Sequence, residues 1–137
     1  MIAERDGCVT RVDTAEGDLP APHTPVQQAC AAQLAAYFAG ERRVFDVPLS
    51  PAGTAFQQRV WAALRLIPWG ETRTYGEIAA AMGMPRAGRA VGGAIHRNPV
   101  LILIPCHRVV GKDGKLTGFR AGLAMKRAML EREGVCL

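Results

Sequence analysis

The stretch "GRAVGGAIHRNPVLILIPCHRVV", Gly88–Val110, joins a small-residue segment studded with arginine to an apolar run that ends in Pro-Cys-His-Arg. Just upstream, Thr74-Tyr75-Gly76-Glu77 is a capping box whose short helix should end at Gly83. After Met84-Pro85 a second helix is expected from about Arg86 to His96, stopping before Asn98-Pro99. Helix, tight turn and helix make a helix-turn-helix. At about 100° per residue, Arg86, Arg89, Gly93, His96 and Arg97 share one side of that second helix, and Val91 and Ile95 lie opposite. The apolar side suits a core and the basic side suits an anionic partner. Glycine weakens a helix, so Gly92 and Gly93 beside the arginines read as room for a phosphate backbone to come close.

The run Val100–Ile104 reads as a buried strand following the Asn98-Pro99 turn. Pro105 cannot extend a ladder, so Cys106 is expected where a strand hands over to a loop, firmly held and partly enclosed. A thiol becomes nucleophilic when a base or cation stabilises its thiolate, and His107 and Arg108 follow at once. Adjacent side chains on extended backbone point apart, so His107 is expected to reach the thiol through a water or a bent loop. The competing reading of a lone cysteine is an inert buried thiol. Cys8, Cys30 and Cys136 have no His or Arg beside them.

Thr54-Ala55-Phe56-Gln57 is a second capping box, with Phe56, Val60, Leu64 and Ile67 on one face before Pro68 and Gly70. Met1–Thr14 reads as a hairpin around Asp6-Gly7. A Pro-rich link, "DLPAPHTP", leads to Thr24-Pro25-Val26-Gln27, a helix start whose apolar positions run to Gly40. Phe45–Pro51 is extended, which sets a boundary near 48–53: a hairpin-and-helix segment over 1–48 and a second domain over 49–137.

A chain of 137 residues with 49% hydrophobic residues suffices for one core and a small appendage. It has no 18-residue apolar run, and Met1–Asp6 is no signal peptide, so a soluble, cytoplasmic protein with no membrane partner is expected. Scattered cysteines point to free thiols. A zinc site from Cys8, His23 and Cys30 fits no common spacing, so neither metal nor cofactor is expected. Residues 1–48 hold four Arg against seven acids, a charge of −3, and 49–137 hold thirteen Lys and Arg against five acids, a charge of +8. The excess positive charge lies in the second domain, where a polyanion would dock.

"FQQRVWAALRLIPWGETRTYG", "TYGEIA", "GRAVGGAIHRNPVLILIPCHRVV" and "GKLTGFRAGLAMKRAMLEREG" together resemble the O6-alkylguanine-DNA alkyltransferases, in order from about Gly53 to Gly134. "YFAGERRVFDVPL" is similar to that family's linker. The resemblance implies an α/β (α+β) fold whose C-terminal domain is a winged-helix-like helix-turn-helix. It implies irreversible transfer of an alkyl group from O6-alkylguanine, and from O4-alkylthymine, to the protein's own cysteine. The partner implied is double-stranded DNA containing O6-alkylguanine, bound by a monomer.

By the same resemblance, Cys106 accepts the alkyl group, and His107 and Glu133 activate it with a water. Asn98 braces the turn before it. Tyr75 helps rotate the nucleotide out of the duplex and faces the base. Arg89 fills the vacated place, with Arg86, Arg97, Gly92 and Gly93 on the DNA-facing helix. The backbone of Cys106 and Val109 holds the base, and Phe119, Arg120 and Ala121 shape the pocket rim. Phe119 stands where many relatives carry tyrosine. The larger N-terminal domain usual in the family is expected here only as a shortened segment. Alkyltransferase-like proteins share this core but replace the cysteine and bind without chemistry, so Cys106 argues against that alternative. A cysteine hydrolase would need an oxyanion site and a further His and Asn that the sequence does not offer.

Overall fold

The computed structural model describes residues 1–14 and 21–137, so part of the Pro-rich link, Asp18–Pro20, lies outside the described residues. The chain divides into two compact units, Met1–Ala52 with Pro99–Leu101, and Gly53–Asn98 with Ile102–Leu137.

In the first unit, β1 (Ile2–Arg5) and β2 (Cys8–Val12) form an antiparallel hairpin. Its turn needs positive φ at both central residues, and Asp6 and Gly7 supply 52° and 79°. Helix α1 (Pro25–Phe38) begins at Thr24 with both capping-box hydrogen bonds formed and Pro25 in the first turn. Gln27 also donates through Nε2 to the Ile2 carbonyl at 3.1 Å, tying α1 to the hairpin. Val9, Val12, Cys30, Tyr37, Val47, Val100 and Leu101 are the buried apolar residues. Val100 bridges Val12 in parallel, and the Leu101 amide donates to the Val12 carbonyl at 3.0 Å.

In the second unit, α2 (Ala55–Leu64) and α3 (Tyr75–Ala81) also start from complete capping boxes, at Thr54 and Thr74. Helix α4 (Gly88–His96) packs against both. Val60, Leu64, Ile78, Val91 and Ile95 are buried between them, and Trp61 Nε1 donates to the Ala94 carbonyl at 2.9 Å. A two-residue parallel ladder, β3 (Arg73–Thr74) with β4 (Val109–Val110), pairs Thr74 with Val110. Helix α5 (Leu123–Arg132) starts after Gly122 and is capped by Glu133, with Gly134 following; both glycines are at positive φ, 98° and 83°.

Two expectations are corrected. The helix-turn-helix is present as α3 and α4, but α4 begins at Gly88. Arg86 stands in the preceding turn and Arg97 caps the far end. The run Val100–Ile104 is not a strand. Its backbone reverses at Ile102, where φ is 74°, and the Ile104 carbonyl is taken by Asn98 Nδ2 at 3.0 Å and by the Cys106 amide at 2.7 Å. An apolar run specifies burial, and the asparagine decides the local path. Among the described residues no helix is long and apolar enough to cross a membrane.

Trp61→Phe should lower the unfolding free energy by about 1–3 kcal/mol, because the ring stays buried while the Ala94 carbonyl loses its donor. Urea unfolding followed by circular dichroism measures this, and an unchanged midpoint would show that the bond contributes nothing.

Candidate active site

Cys106, His107 and Arg108 form one turn of 3-10 helix, directly before β4. The backbone is therefore bent, not extended, at the cysteine, and all three side chains are buried. Cys106 is 5% exposed, more enclosed than a strand-end position implies. Burial raises its thiol above the ordinary value of 9.0, opposed by a hydrogen bond from Asn98 and by the positive charges of Lys126 and Arg120. The groups that favour the thiolate are thus Asn98, Lys126 and Arg120, not the flanking His107 and Arg108. The resting group is a thiol, and a base must take its proton before it can attack.

His107 turns into the interior and meets Glu133. A carboxylate only accepts, so His107 Nε2 carries the proton and donates to Glu133 Oε2 at 2.7 Å. Desolvation holds the ring below its ordinary 6.5, against the pull of Glu133, with Arg108 and Lys126 adding repulsion. The imidazole is therefore neutral, with a lone pair on Nδ1. That atom is buried and has no hydrogen-bond partner among the described residues.

Arg108, to which sequence reading assigned no contact, completes this cluster. Its Nε donates to Glu133 Oε1 at 2.7 Å, one terminal nitrogen donates to Oε2 at 3.2 Å, and the other donates to the Ile67 carbonyl at 2.8 Å. Lys126 is a second unforeseen member. It is 1% exposed, donates to the Val109 carbonyl at 2.6 Å and to the Thr117 carbonyl at 3.3 Å, and burial lowers its pKa below 10.5. A visible signal existed for it. Lys126, Met129, Leu130 and Glu133 share helical spacing on α5 and its cap, and all four are buried.

Tyr75 begins α3 immediately after β3, and the pairing of β3 with β4 brings it beside the segment that follows the Cys-His-Arg turn. Its hydroxyl shares a 2.7 Å hydrogen bond with Thr117 Oγ1, another contact the sequence did not announce. Gly92 faces the tyrosine ring, where an added Cβ would stand 3.6 Å from Cδ1, so this glycine belongs to the Tyr75 side of α4. Gly93 is exposed, and a Cβ there would meet nothing within 4 Å. Arg89 and His96 on α4, Arg97 at its cap and Arg86 in the turn before it are all exposed. Phe119 and Ala121 are partly buried and Arg120 is exposed, in the loop leading to α5. The Val109 carbonyl already receives Lys126. The other buried thiol, Cys30, is pushed up to about 11 by burial, which leaves little thiolate near neutral pH.

Two outcomes test this geometry. Glu133→Gln should reduce stability by about 3–5 kcal/mol in urea unfolding, because Arg108 is left as a buried charge without a counter-ion. A loss below about 1 kcal/mol would mean that Arg108 finds water instead. Separately, the folded pKa of His107 lies below 6.5, so the stability from keeping it neutral is present above about 6.5 and lost as the pH falls through the folded value. Unfolding midpoints should drop on acidification from neutral to about pH 5, and His107→Gln should flatten that drop. Identical pH profiles for the two proteins would contradict a neutral buried His107.

The sequence profile for the DNA-binding domain of 6-O-methylguanine DNA methyltransferase matches residues 55–135. The methylated-DNA–protein-cysteine methyltransferase of Methanosarcina acetivorans is 61% identical over 104 residues, 76% of this chain and 67% of that protein. The Mycobacterium tuberculosis protein of the same name is 61% identical over 101 residues, 74% of this chain and 61% of its own length. This chain thus spans about two thirds or less of these curated relatives. The crystal structure of the M. tuberculosis OGT in complex with DNA superposes with a TM-score of 0.87 at 49% identity, covering 96% of this chain and 84% of that one. With the Pro-Cys-His-Arg turn, its buried glutamate and the helix-turn-helix in the matched region, the chain belongs to the methylated-DNA–protein-cysteine methyltransferase family.

Proposed function

We propose that this protein repairs DNA by transferring the alkyl group of O6-alkylguanine, and by the same chemistry of O4-alkylthymine, to Cys106, once per chain. Residues 49–137 carry DNA binding and chemistry, and the protein works as a cytoplasmic monomer. The observation that carries the reading is the buried Cys106 thiol held by Asn98 next to a neutral His107 anchored on Glu133.

Guanine O6 is inside the duplex, so the nucleotide must leave the stack before a buried thiol can reach it. The exposed face of α4 suits that task. Arg86, Arg89 and Arg97 approach the phosphates, Gly93 leaves space for the backbone, and Arg89 occupies the place the base vacates. Tyr75 turns the nucleotide and presents its hydroxyl to the extruded base, while the backbone of Cys106 and Val109 receives it. Phe119, Arg120 and Ala121 bound the pocket.

His107 Nδ1 takes the proton of Cys106 through a water, with Glu133 holding the ring in the required tautomer. The S–C bond then forms as the C–O6 bond breaks. The proton given up by Cys106 is balanced by the one that guanine regains. Hydrogen-bond donation to the base from Tyr75 offsets the charge that develops on the leaving group. Lys126 and Arg120 favour the thiolate as it appears, and their charge is most useful at that moment. A thioether has no easy return path, so the methylated chain is the end point.

Incubation with duplex DNA containing O6-methylguanine, followed by intact mass and peptide mapping, should show one methyl per chain on the Cys106 peptide and no turnover with excess substrate. Cys106→Ala should still bind the duplex and acquire no methyl. Transfer that survives in Cys106→Ala, or a methyl on Cys8, Cys30 or Cys136, would overturn the mechanism.

A further inference from the structure

Thr117 is fixed on three sides. Its carbonyl receives Lys126 Nζ at 3.3 Å. Its methyl lies against Gly111, where an added Cβ would come within 2.8 Å of Thr117 Cγ2. Its hydroxyl lies 2.7 Å from Tyr75 Oη. The tyrosine is placed in turn: it starts α3 directly after the β3–β4 ladder, and its ring lies where a side chain at Gly92 would meet it at 3.6 Å. With both side chains held, the freedom left in the pair is the direction of its hydrogen bond. In the free protein either oxygen can donate.

A phenol carries one proton, and a threonine hydroxyl can both donate and accept. If Tyr75 spent its proton on Thr117, it could not donate to a base. We propose that Thr117 is a positioning residue for alkyl transfer: its hydroxyl donates to Tyr75 Oη and so directs the tyrosine proton at the ring nitrogen N3 of the extruded purine. This rests on the repair reading above. Hydrogen bonds in series polarise one another, so a phenol that accepts from Thr117 is a better donor to the base at the moment guanine departs. The same threonine is bound through its backbone to Lys126, whose ammonium lies close enough to act on the Cys106 thiol. Thr117 thus links the group that assists the leaving base to the group that favours the thiolate.

Single-turnover transfer from a duplex carrying O6-methylguanine tests this, beside a matched duplex in which the purine N3 is replaced by C–H. At saturating duplex, Thr117→Val should slow transfer by about three- to tenfold, the loss of one net hydrogen bond between neutral groups. Its duplex Kd should stay within about twofold of wild type, since no phosphate contact changes. Thr117→Ser keeps the hydroxyl and should transfer at nearly the wild-type rate. On the N3-free duplex, wild type and Thr117→Val should react equally, because the directed proton has no acceptor. Tyr75→Phe with Thr117→Val should be no slower than Tyr75→Phe alone, a comparison that also removes any general effect of the valine on folding.

An unchanged rate for Thr117→Val on the normal duplex, the same loss on both duplexes, or a Thr117→Ser as slow as Thr117→Val would each overturn the positioning role while leaving the repair reading intact. A wild-type protein that takes no methyl from the normal duplex would overturn the repair reading, and this inference with it.

Discussion

The carboxylate of Glu133 is the fixed point around which the second unit is arranged. A buried carboxylate is tolerated only when both oxygens are paired, and here three nitrogens from consecutive residues pair them. Because His107 and Arg108 are neighbours in one 3-10 turn, that turn cannot rotate without breaking a bond to Glu133. Cys106, the first residue of the same turn, is held by this constraint. Arginine suits the position: its planar fork meets the two oxygens side by side and still has a nitrogen for the Ile67 carbonyl in the turn after α2. A lysine there would satisfy one oxygen and leave the Ile67 carbonyl unheld.

Burial acts on the thiol and the imidazole with opposite signs and the same result. It raises Cys106 and lowers His107, so each rests in its neutral form. A standing thiolate–imidazolium pair is thereby disfavoured. Arg108 contributes to this restraint. It shares Glu133 with His107, so the carboxylate is not free to stabilise an imidazolium fully, and its own charge opposes protonation of the ring. On the thiolate side, Asn98, Lys126 and Arg120 pull the other way. Deprotonation is a balance of opposed interactions, which suits the single transfer proposed above.

What the sequence made legible follows from whether the deciding chemistry is local. Three helix starts are readable because a capping box is closed within four residues, and the Thr24–Gln27, Thr54–Gln57 and Thr74–Glu77 boxes all form both bonds. The hairpin turn is readable because Asp6 and Gly7 tolerate positive φ. The start of α4 is not: Ala87 offers no side-chain cap, so the first hydrogen-bonded turn is set by packing against α2 and α3. Val100–Ile104 looks like a strand because apolar runs report burial and are silent on extension. The ladder of β3 with β4 is two residues long and joins distant segments, below anything a periodicity can reveal. Cys106, Asn98, Tyr75 and Glu133 were legible through the family's motif, whereas Arg108, Lys126 and Thr117 owe their contacts to tertiary packing.

Helix α5 shows why those last contacts matter together. Lys126 and Glu133 stand seven residues apart, two turns along one face, at the helix and its C-cap. One rigid element therefore carries both a cation that acts on Cys106 and the carboxylate that holds His107. A carboxylate at a helix C-terminus meets the negative end of the helix dipole, an unfavourable placement that the bidentate Arg108 offsets. The ammonium at Lys126 is as unusual in a core, and it is retained by two carbonyls, Val109 in β4 and Thr117 in the loop before the helix. A displacement of α5 along its axis would weaken the thiolate's cation and the imidazole's anchor at once. The acid and base sides of the site cannot drift independently, because the spacing between them is fixed by the helix itself.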